Sequence, residues 1–278
     1  MNNTILVPTD LSVNSKAGIR FAIQLAKQSK SALVFYYCVP LMKPTRWSEV
    51  TYNAYIEREL DAARKMLDSF INGIYKSAGA RKTRTTNIVR HSTDVQKAIL
   101  DYALEIKAKA ICMSTRGAGR LRKIMGTHTS GIIQNSPVPV FVVPKNYRTT
   151  PVNHILYSSD LNQLAAELKQ VQHFSKPLKA KITICHYDYL ADVDESRAKL
   201  EKVARRFKRP GVNFIFQKFN IDKSLGQHLV SDMKKSKASI AALFTDQKRG
   251  WFDKLFLSSR AESVAFDSKI PMLVFPKK

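Results

Sequence analysis

Acidic residues are scarce in this sequence. It has 22 Asp and Glu against 46 Lys and Arg, a net charge of +24 over 278 residues. Cysteine is scarcer still. Cys38, Cys112 and Cys185 lie far apart inside apolar runs. That spacing excludes a disulfide framework and a CxxC metal site. It reads as buried, reduced thiols in a cytoplasmic protein. Glycine and proline number only 10 and 11, too few for long low-complexity or collagen-like stretches. No run approaches ~18 uninterrupted apolar residues, so no transmembrane helix and no membrane partner are expected. Met1 to Pro8 has no basic n-region and no long apolar segment, and does not read as a secretory signal.

What is present fits two domains of ordinary size, each able to bury a core without disulfide staples. The excess of positive charge favours anionic contacts: nucleic acid, a phosphate ligand or a membrane surface. It is spread as +14 over residues 1–150 and +10 over residues 151–278. Local clusters are Arg81-Lys82-Thr83-Arg84, Arg120 to Lys123, Lys202 to Arg209 and Lys234-Lys235-Ser236-Lys237. Such runs ordinarily form solvated faces. Gathered on one face, they would bind nucleic acid without sequence preference. Phe35-Tyr36-Tyr37 reads as core strand rather than as a platform for stacking bases.

The chain is a repeat of two. Asn3, Ile5, Leu6, Asp10 and Leu11 recur at an offset of 150 as Asn153, Ile155, Leu156, Asp160 and Leu161. Ser136-Pro137-Val138-Pro139-Val140 and the apolar run after it recur at an offset of 132, as Ser268-Lys269-Ile270-Pro271-Met272 and its apolar run. The expected domains are 1–147 and 152–278, joined by the polar linker Asn146 to Pro151.

Within each copy, short apolar runs alternate with amphipathic stretches. In the first copy, strands are predicted at Ile5–Pro8, Ala32–Val39, Asn87–Val89, Ala110–Met113 and Val138–Val143. Helical spacing runs over Lys16–Lys27, Glu49–Ser77 and Val95–Ile106. The long middle helix would bury Ile56, Leu60, Ala63, Leu67, Phe70 and Ile74. The third would turn Ile99, Tyr102, Ala103 and Ile106 inward. Strands of the second copy are predicted at Ile155–Tyr157, Ile182–His186, Val212–Phe216, Ile240–Phe244 and Met272–Phe275. Strand–helix alternation argues for right-handed crossovers and a parallel sheet.

A strand ending in Val7-Pro8-Thr9-Asp10, then a serine and a helix, resembles the start of a universal stress protein domain. Met113-Ser114-Thr115-Arg116-Gly117-Ala118-Gly119, followed by Gly126-Thr127 and the Ser136-to-Val140 ending, resembles that family's glycine loop and final strand. The similarity spans both copies, so the chain resembles a tandem universal stress protein. The resemblance implies an α/β fold: two tandem copies of a five-stranded parallel, Rossmann-like domain related to the adenine nucleotide alpha hydrolases. It also implies that the final strands pair the copies as an intramolecular pseudo-dimer, with a homodimer as a further level of assembly. Many members bind ATP and others do not.

The chemistry follows from the residues. Ligands of open parallel sheets sit at the carboxyl ends of strands, where Met113 and Ser114 would lie. Gly117 and Gly119 let backbone N–H groups approach an anion. Gly126-Thr127 would open a helix whose free N–H groups favour phosphate, with Thr127 capping it or donating to the ligand. Arg116, Arg120, Arg122 and Lys123 add positive charge, and His128 follows directly. Asp10 would reach a ribose hydroxyl beside Pro8 and Thr9. By resemblance, Tyr37, Cys38 and Val39 would line the adenine pocket. The expected ligand is ATP, with Mg2+ accompanying it.

Departures from the family pattern are specific. The first glycine is Ser114, the usual histidine before the second is Arg116, and eight residues separate Gly117 from Gly126, one fewer than usual. The other reading of these glycines is a tight strand-to-helix turn. In the second copy Gly126-Thr127 becomes Ser258-Ser259, Gly250 is the remaining loop glycine, and Asp246 puts negative charge where phosphate would arrive. Trp251 and Phe252 are large enough to fill a pocket. The second copy is therefore expected to be structural, with no cofactor.

There is no GxSxG elbow, HExxH helix or Walker lysine motif, and the histidines show no ligand spacing. The family resemblance allows at most slow ATP hydrolysis. Three readings remain open: a stress or signalling module binding an adenine nucleotide in its first domain, a nucleotide-independent scaffold, and a basic nucleic-acid binder.

Overall fold

The computed structural model describes residues 3–82, 84–115, 127–188, 201–218, 220, 225–245 and 270–276. The chain divides into two compact units, Met1–Thr149 and Thr150–Lys278.

The first unit runs β1 (Thr4–Pro8), a 3-10 turn (Val13–Ser15), α1 (Lys16–Ser29), β2 (Ala32–Val39), α2 (Glu49–Ser77) and β3 (Thr85–His91). It continues with α3 (Val95–Glu105), β4 (Ala110–Ser114), α4 (Thr127–Asn135) and β5 (Val140–Val143). Its strands pair in parallel in the order β3-β2-β1-β4-β5. The second unit has β6 (His154–Ser158), α5 (Leu164–Leu178), β7 (Lys181–Asp188), β8 (Val212–Lys218), α6 (Leu225–Lys235), β9 (Ile240–Thr245) and β10 (Met272–Pro276). Residues 201–207 are also helical. The order β8-β7-β6-β9-β10 repeats the first unit's, again all parallel.

Local chemistry sets the boundaries. Ser48 caps α2, its hydroxyl accepting from Thr51 N–H, and Asp94 caps α3, accepting from Lys97 N–H, each worth ~1 kcal/mol. β5 begins at Val140 rather than at Val138. Pro139 has no N–H for the ladder and contributes only its carbonyl, which accepts from Ile111 N–H.

The core lies between sheet and helices. Ile5, Leu6, Val7, Phe35, Cys112 and Phe141 of the first sheet are buried, against Ile19, Phe21, Ala22 and Leu25 of α1. On α2, Ile56, Leu60, Ala63, Leu67 and Ile74 are buried as the periodicity predicts. Phe70 is only half-buried, at the margin of the stripe below the Lys16 ammonium, and Ile71 and Tyr75 take the inner positions. Ile106 ends α3 as its C-cap and is likewise half-buried. Phe35 and Tyr36 are core, as their strand position predicts.

The two units share backbone detail. Asp10 Oδ1 accepts from Ser12 N–H and Asp160 Oδ1 from Asn162 N–H, both at 3.0 Å. Leu11 and Leu161, between these partners, have φ of 58° and 65°. Leucine is uncommon in that left-handed region, where it costs ~1 kcal/mol. Among the described residues, no helix is long and apolar enough to cross a membrane.

Candidate functional site

In the first unit the chain winds outward from β1 to β2 and β3, then returns to place β4 on the other side of β1. Parallel sheets open a crevice at such a reversal, at the carboxyl ends of the strands. A cavity of about 320 Å3 lies there. Pro8, Thr9 and Asp10 line it from the end of β1, and Met113, Ser114 and Thr115 from the end of β4. Tyr36, Tyr37 and Cys38 come from β2, Val95 and Ile99 from α3, and Thr129 from α4.

One wall is apolar. Tyr36 stacks on Tyr102 with ring centroids 4.8 Å apart, and the Arg90 guanidinium lies 4.5 Å over the Tyr102 ring. Arg90 is held there by two hydrogen bonds of 2.7 Å to Glu105. Burial pushes the Tyr36 phenol up to about 12, the neighbouring Cys38 adding to it and Arg90 opposing it. Burial also raises the Cys38 thiol. These groups therefore stay neutral at pH 7, and the wall suits a flat, uncharged ring.

The other wall is polar. Thr9 is buried, and its hydroxyl donates to Ser15 Oγ at 2.9 Å and accepts from Leu11 N–H at 3.1 Å. That hydroxyl holds the turn together. Asp10 is exposed beside it, with Oδ1 engaged by Ser12 N–H. Ser114 Oγ accepts from Gly18 N–H at 2.7 Å and donates to Ser15 O at 3.2 Å. A Cβ on Gly18 would sit 2.8 Å from Ser114 N, so glycine is what admits α1 this close to β4. Thr129, in the first turn of α4, donates to Ser114 O at 3.5 Å. Asp10 is the carboxylate among the lining residues. Among the described residues, no group of three or more His, Cys, Asp or Glu could hold a metal ion.

Of the residues singled out from sequence, Pro8, Thr9, Asp10, Cys38, Met113 and Ser114 meet around this cavity. Val39 does not. It packs against the Leu41, Ile56 and Leu60 cluster instead. Thr127 opens α4 as expected. The side chains of Thr127 and His128, and all of Arg116, Gly117, Gly119, Arg120, Arg122, Lys123 and Gly126, lie outside the described residues. Sequence reasoning placed Thr115 at the strand end with Met113 and Ser114, and missed Asn14, Ser15, Tyr36, Pro40, Val95 and Thr129 as cavity residues. Ile99 was legible as inward-facing, but not as a cavity wall.

The second unit differs at the same places. Strand register aligns Val7 with Tyr157 and Ser114 with Phe244, and the helix C-caps Lys30 and Lys179 align Gly18 with Glu167. Tyr157 donates to Glu167 Oε2, and its phenol oxygen accepts from the Ser159 hydroxyl at 3.0 Å. Phe244 stacks on Phe275 at 4.6 Å and meets Tyr157 edge-on at 5.7 Å. Bulky side chains thus stand where the first unit has a small polar one. Asp246, Gly250, Trp251, Phe252, Ser258 and Ser259 lie outside the described residues.

The family model described as "Universal stress protein family" matches residues 1–144. No match is found among curated proteins. Among solved structures, a universal stress protein from Archaeoglobus fulgidus DSM 4304 aligns over 100% of both chains, with 17% identity and a TM-score of 0.74. A protein of unknown function from Pseudomonas aeruginosa PAO1 aligns over 99% of this chain and 92% of its own, at 13% identity and a TM-score of 0.60. A universal stress protein from Archaeoglobus fulgidus solved with dAMP covers 50% of this chain and 95% of its own, at 20% identity and a TM-score of 0.35.

Proposed function

The chain belongs to the universal stress protein family, and from that premise we propose that its first unit binds an adenine nucleotide, ATP above all, as a stress-response or signalling module. The observation that carries this reading is the division of one cavity into an apolar wall at Tyr36, Tyr37, Cys38 and Ile99 and a polar one at Asp10 and Ser114. The apolar wall would take the adenine ring and Asp10 a ribose hydroxyl. The phosphates would lie toward the N-terminus of α4, the helix end that favours anions, and toward Arg116, Gly117, Gly119 and Gly126. Mg2+ would arrive with the phosphates, where Asp10 is the nearby acidic ligand. The second unit carries no nucleotide in this reading, because the large Phe244 ring stands at the position that Ser114 holds in the first unit. Three buried free thiols support a reducing, cytoplasmic setting.

The test is thermal unfolding and calorimetric titration with Mg-ATP. A ligand at a hundredfold excess over its Kd stabilises the folded state by about 2.7 kcal/mol. Ser114→Phe, which copies the second unit, should abolish the shift. Asp10→Asn keeps the acceptor for Ser12 N–H and should fold normally while weakening ATP. No shift at millimolar ATP in the unaltered protein overturns the reading.

A further inference from the structure

The unexplained positive charge has a place in the fold. In a parallel sheet every helix-to-strand turn reaches the same edge, the amino-terminal ends of the strands, opposite the nucleotide cavity. In the first unit Lys27 and Lys30 flank the turn into β2, Arg81, Lys82 and Arg84 precede β3, and Lys107 precedes β4; all are exposed. The second unit repeats this. Lys176, Lys179 and Lys181 lead into β7, Lys208 and Arg209 into β8, and Lys234, Lys235 and Lys237 into β9, all exposed. Three of the four clusters visible in the sequence therefore fall on one kind of edge.

The backbone adds a second observation. Lys30, Lys107, Lys179 and Lys237 all have left-handed φ, between 50° and 54°. Glycine or asparagine is the ordinary residue there. At four corresponding turns this chain instead has a lysine in a strained conformation. Helix dipoles favour a cation at helix C-termini, which accounts for the sign of the charge. They do not account for two or three cations at five of the six turns. Nor are these charges neutralised by the acids in the last turns of the helices. Glu105 is held by Arg90, and Asp232 is buried under Tyr187 and Gln217.

We propose that this basic rim of each unit binds the phosphodiester backbone of nucleic acid, without sequence preference, independently of the nucleotide cavity. The spacing suits it. From β3 to β4 is three interstrand steps, about 14 Å, matching about four phosphates at ~3.4 Å of rise per strand. A nucleic-acid backbone needs only cations along a line, whereas a lipid surface is gripped by inserted apolar side chains as well. Among the described residues the most exposed apolar side chains, Val13, Met42 and Val50, follow β1 and β2 and so belong to the cavity edge, and Leu104 at the end of α3 is the single exposed large apolar residue near the rim.

The experiment titrates the full chain into a labelled mixed-sequence 30-mer, as duplex DNA and as single-stranded RNA, at several salt concentrations. The expected result is binding at ~50 mM salt that weakens steeply as salt rises. The variant Lys30→Gly/Lys107→Gly/Lys179→Gly/Lys237→Gly relieves strain, so its Tm should hold or rise. It should bind at least about tenfold more weakly at ~100 mM salt, with a slope of log K against log salt shallower by about 1 per lost contact. Arg81→Gln/Lys82→Gln/Arg84→Gln should do the same to a smaller degree. Mg-ATP at matched ionic strength should leave binding unchanged. The proposal is overturned by no binding at ~50 mM salt, by an unweakened glycine variant, by displacement with Mg-ATP, or by binding confined to phosphatidylserine vesicles.

Discussion

Ser114 caps helix α1 from across the sheet, its hydroxyl accepting the Gly18 N–H at 2.7 Å over a sequence separation of 96. Ser15, the residue at the N-cap position, makes no capping bond with its own side chain. One of the helix's unpaired donors is thus satisfied by the residue that also lines the cavity. Helix entry and cavity floor are built from a single contact.

Gly18→Ala tests that contact. The new Cβ would stand 2.8 Å from Ser114 N and 3.0 Å from the Met113 carbonyl carbon, backbone atoms that yield only by moving the strand. Overpacking of this kind costs about 1–3 kcal/mol. Urea unfolding should show that loss, although alanine is the better helix former. Ser114→Ala should cost ~1 kcal/mol and leave the backbone in place.

A histidine in the second unit should make stability pH-dependent. His154 Nδ1 lies 3.0 Å from Ser236 O and Nε2 2.8 Å from Thr183 Oγ1. Burial holds its pKa below the ordinary value, with Lys181 adding to the shift. The neutral form is therefore preferred in the folded state, and the unfolded chain binds the proton more readily. The stabilisation is fully present above pH ~6.5 and is lost as pH falls from there through the folded pKa. His154→Thr, which copies Thr4 of the first unit, should flatten the Tm profile between pH 7 and 5. An unchanged slope would remove His154 as its source.

The second unit has an internal polar anchor. Asp232 accepts from Tyr187 Oη at 2.7 Å and from Gln217 Nε2 at 2.8 Å, and is buried. The corresponding position of the first unit is Tyr102, stacked on Tyr36. Asp232→Ala would strand the buried Tyr187 hydroxyl and the half-buried Gln217 amide, at a cost of about 3 kcal/mol. Asp232→Asn keeps one acceptor and should cost less. Chemical denaturation of both variants checks the order.

Thiol labelling reports on the cavity. Burial pushes Cys185 up to about 12, raises Cys38, and raises Cys112 furthest. Little thiolate exists at pH 8, so a disulfide reagent should react with the folded protein far more slowly than with the unfolded chain. Cys38 is the one of the three that lines the cavity and should react first. Saturating Mg-ATP should slow it further. Equal rates with and without nucleotide would place the ligand elsewhere.

Much of the fold is legible in the residues. Ala32–Val39 and Glu49–Ser77 end where apolar runs and caps end, because burial and capping are local in sequence. Val39 shows the limit. Tyr36, Tyr37 and Cys38 line the cavity at the end of β2 while Val39 packs on the α2 cluster, and an all-apolar run such as Val34 to Val39 gives no sign of where the lining stops. Thr129 and Ser15 were equally invisible as cavity residues, since the bonds that turn them inward, to Ser114 and Thr9, depend on how the connecting turns fold.

The sequence by itself determined the two-fold repeat, the strand–helix alternation and the excess of positive charge, because periodicity, offset and composition are properties of the chain alone. Tertiary structure decided the rest. Parallel pairing carried Asp10, Cys38 and Ser114 to one edge and the turn lysines to the other. It also set Phe244 in the place of Ser114, a large ring where the first unit has a small hydroxyl. Those are relations between residues about a hundred positions apart, and only the sheet brings such residues within a few ångströms.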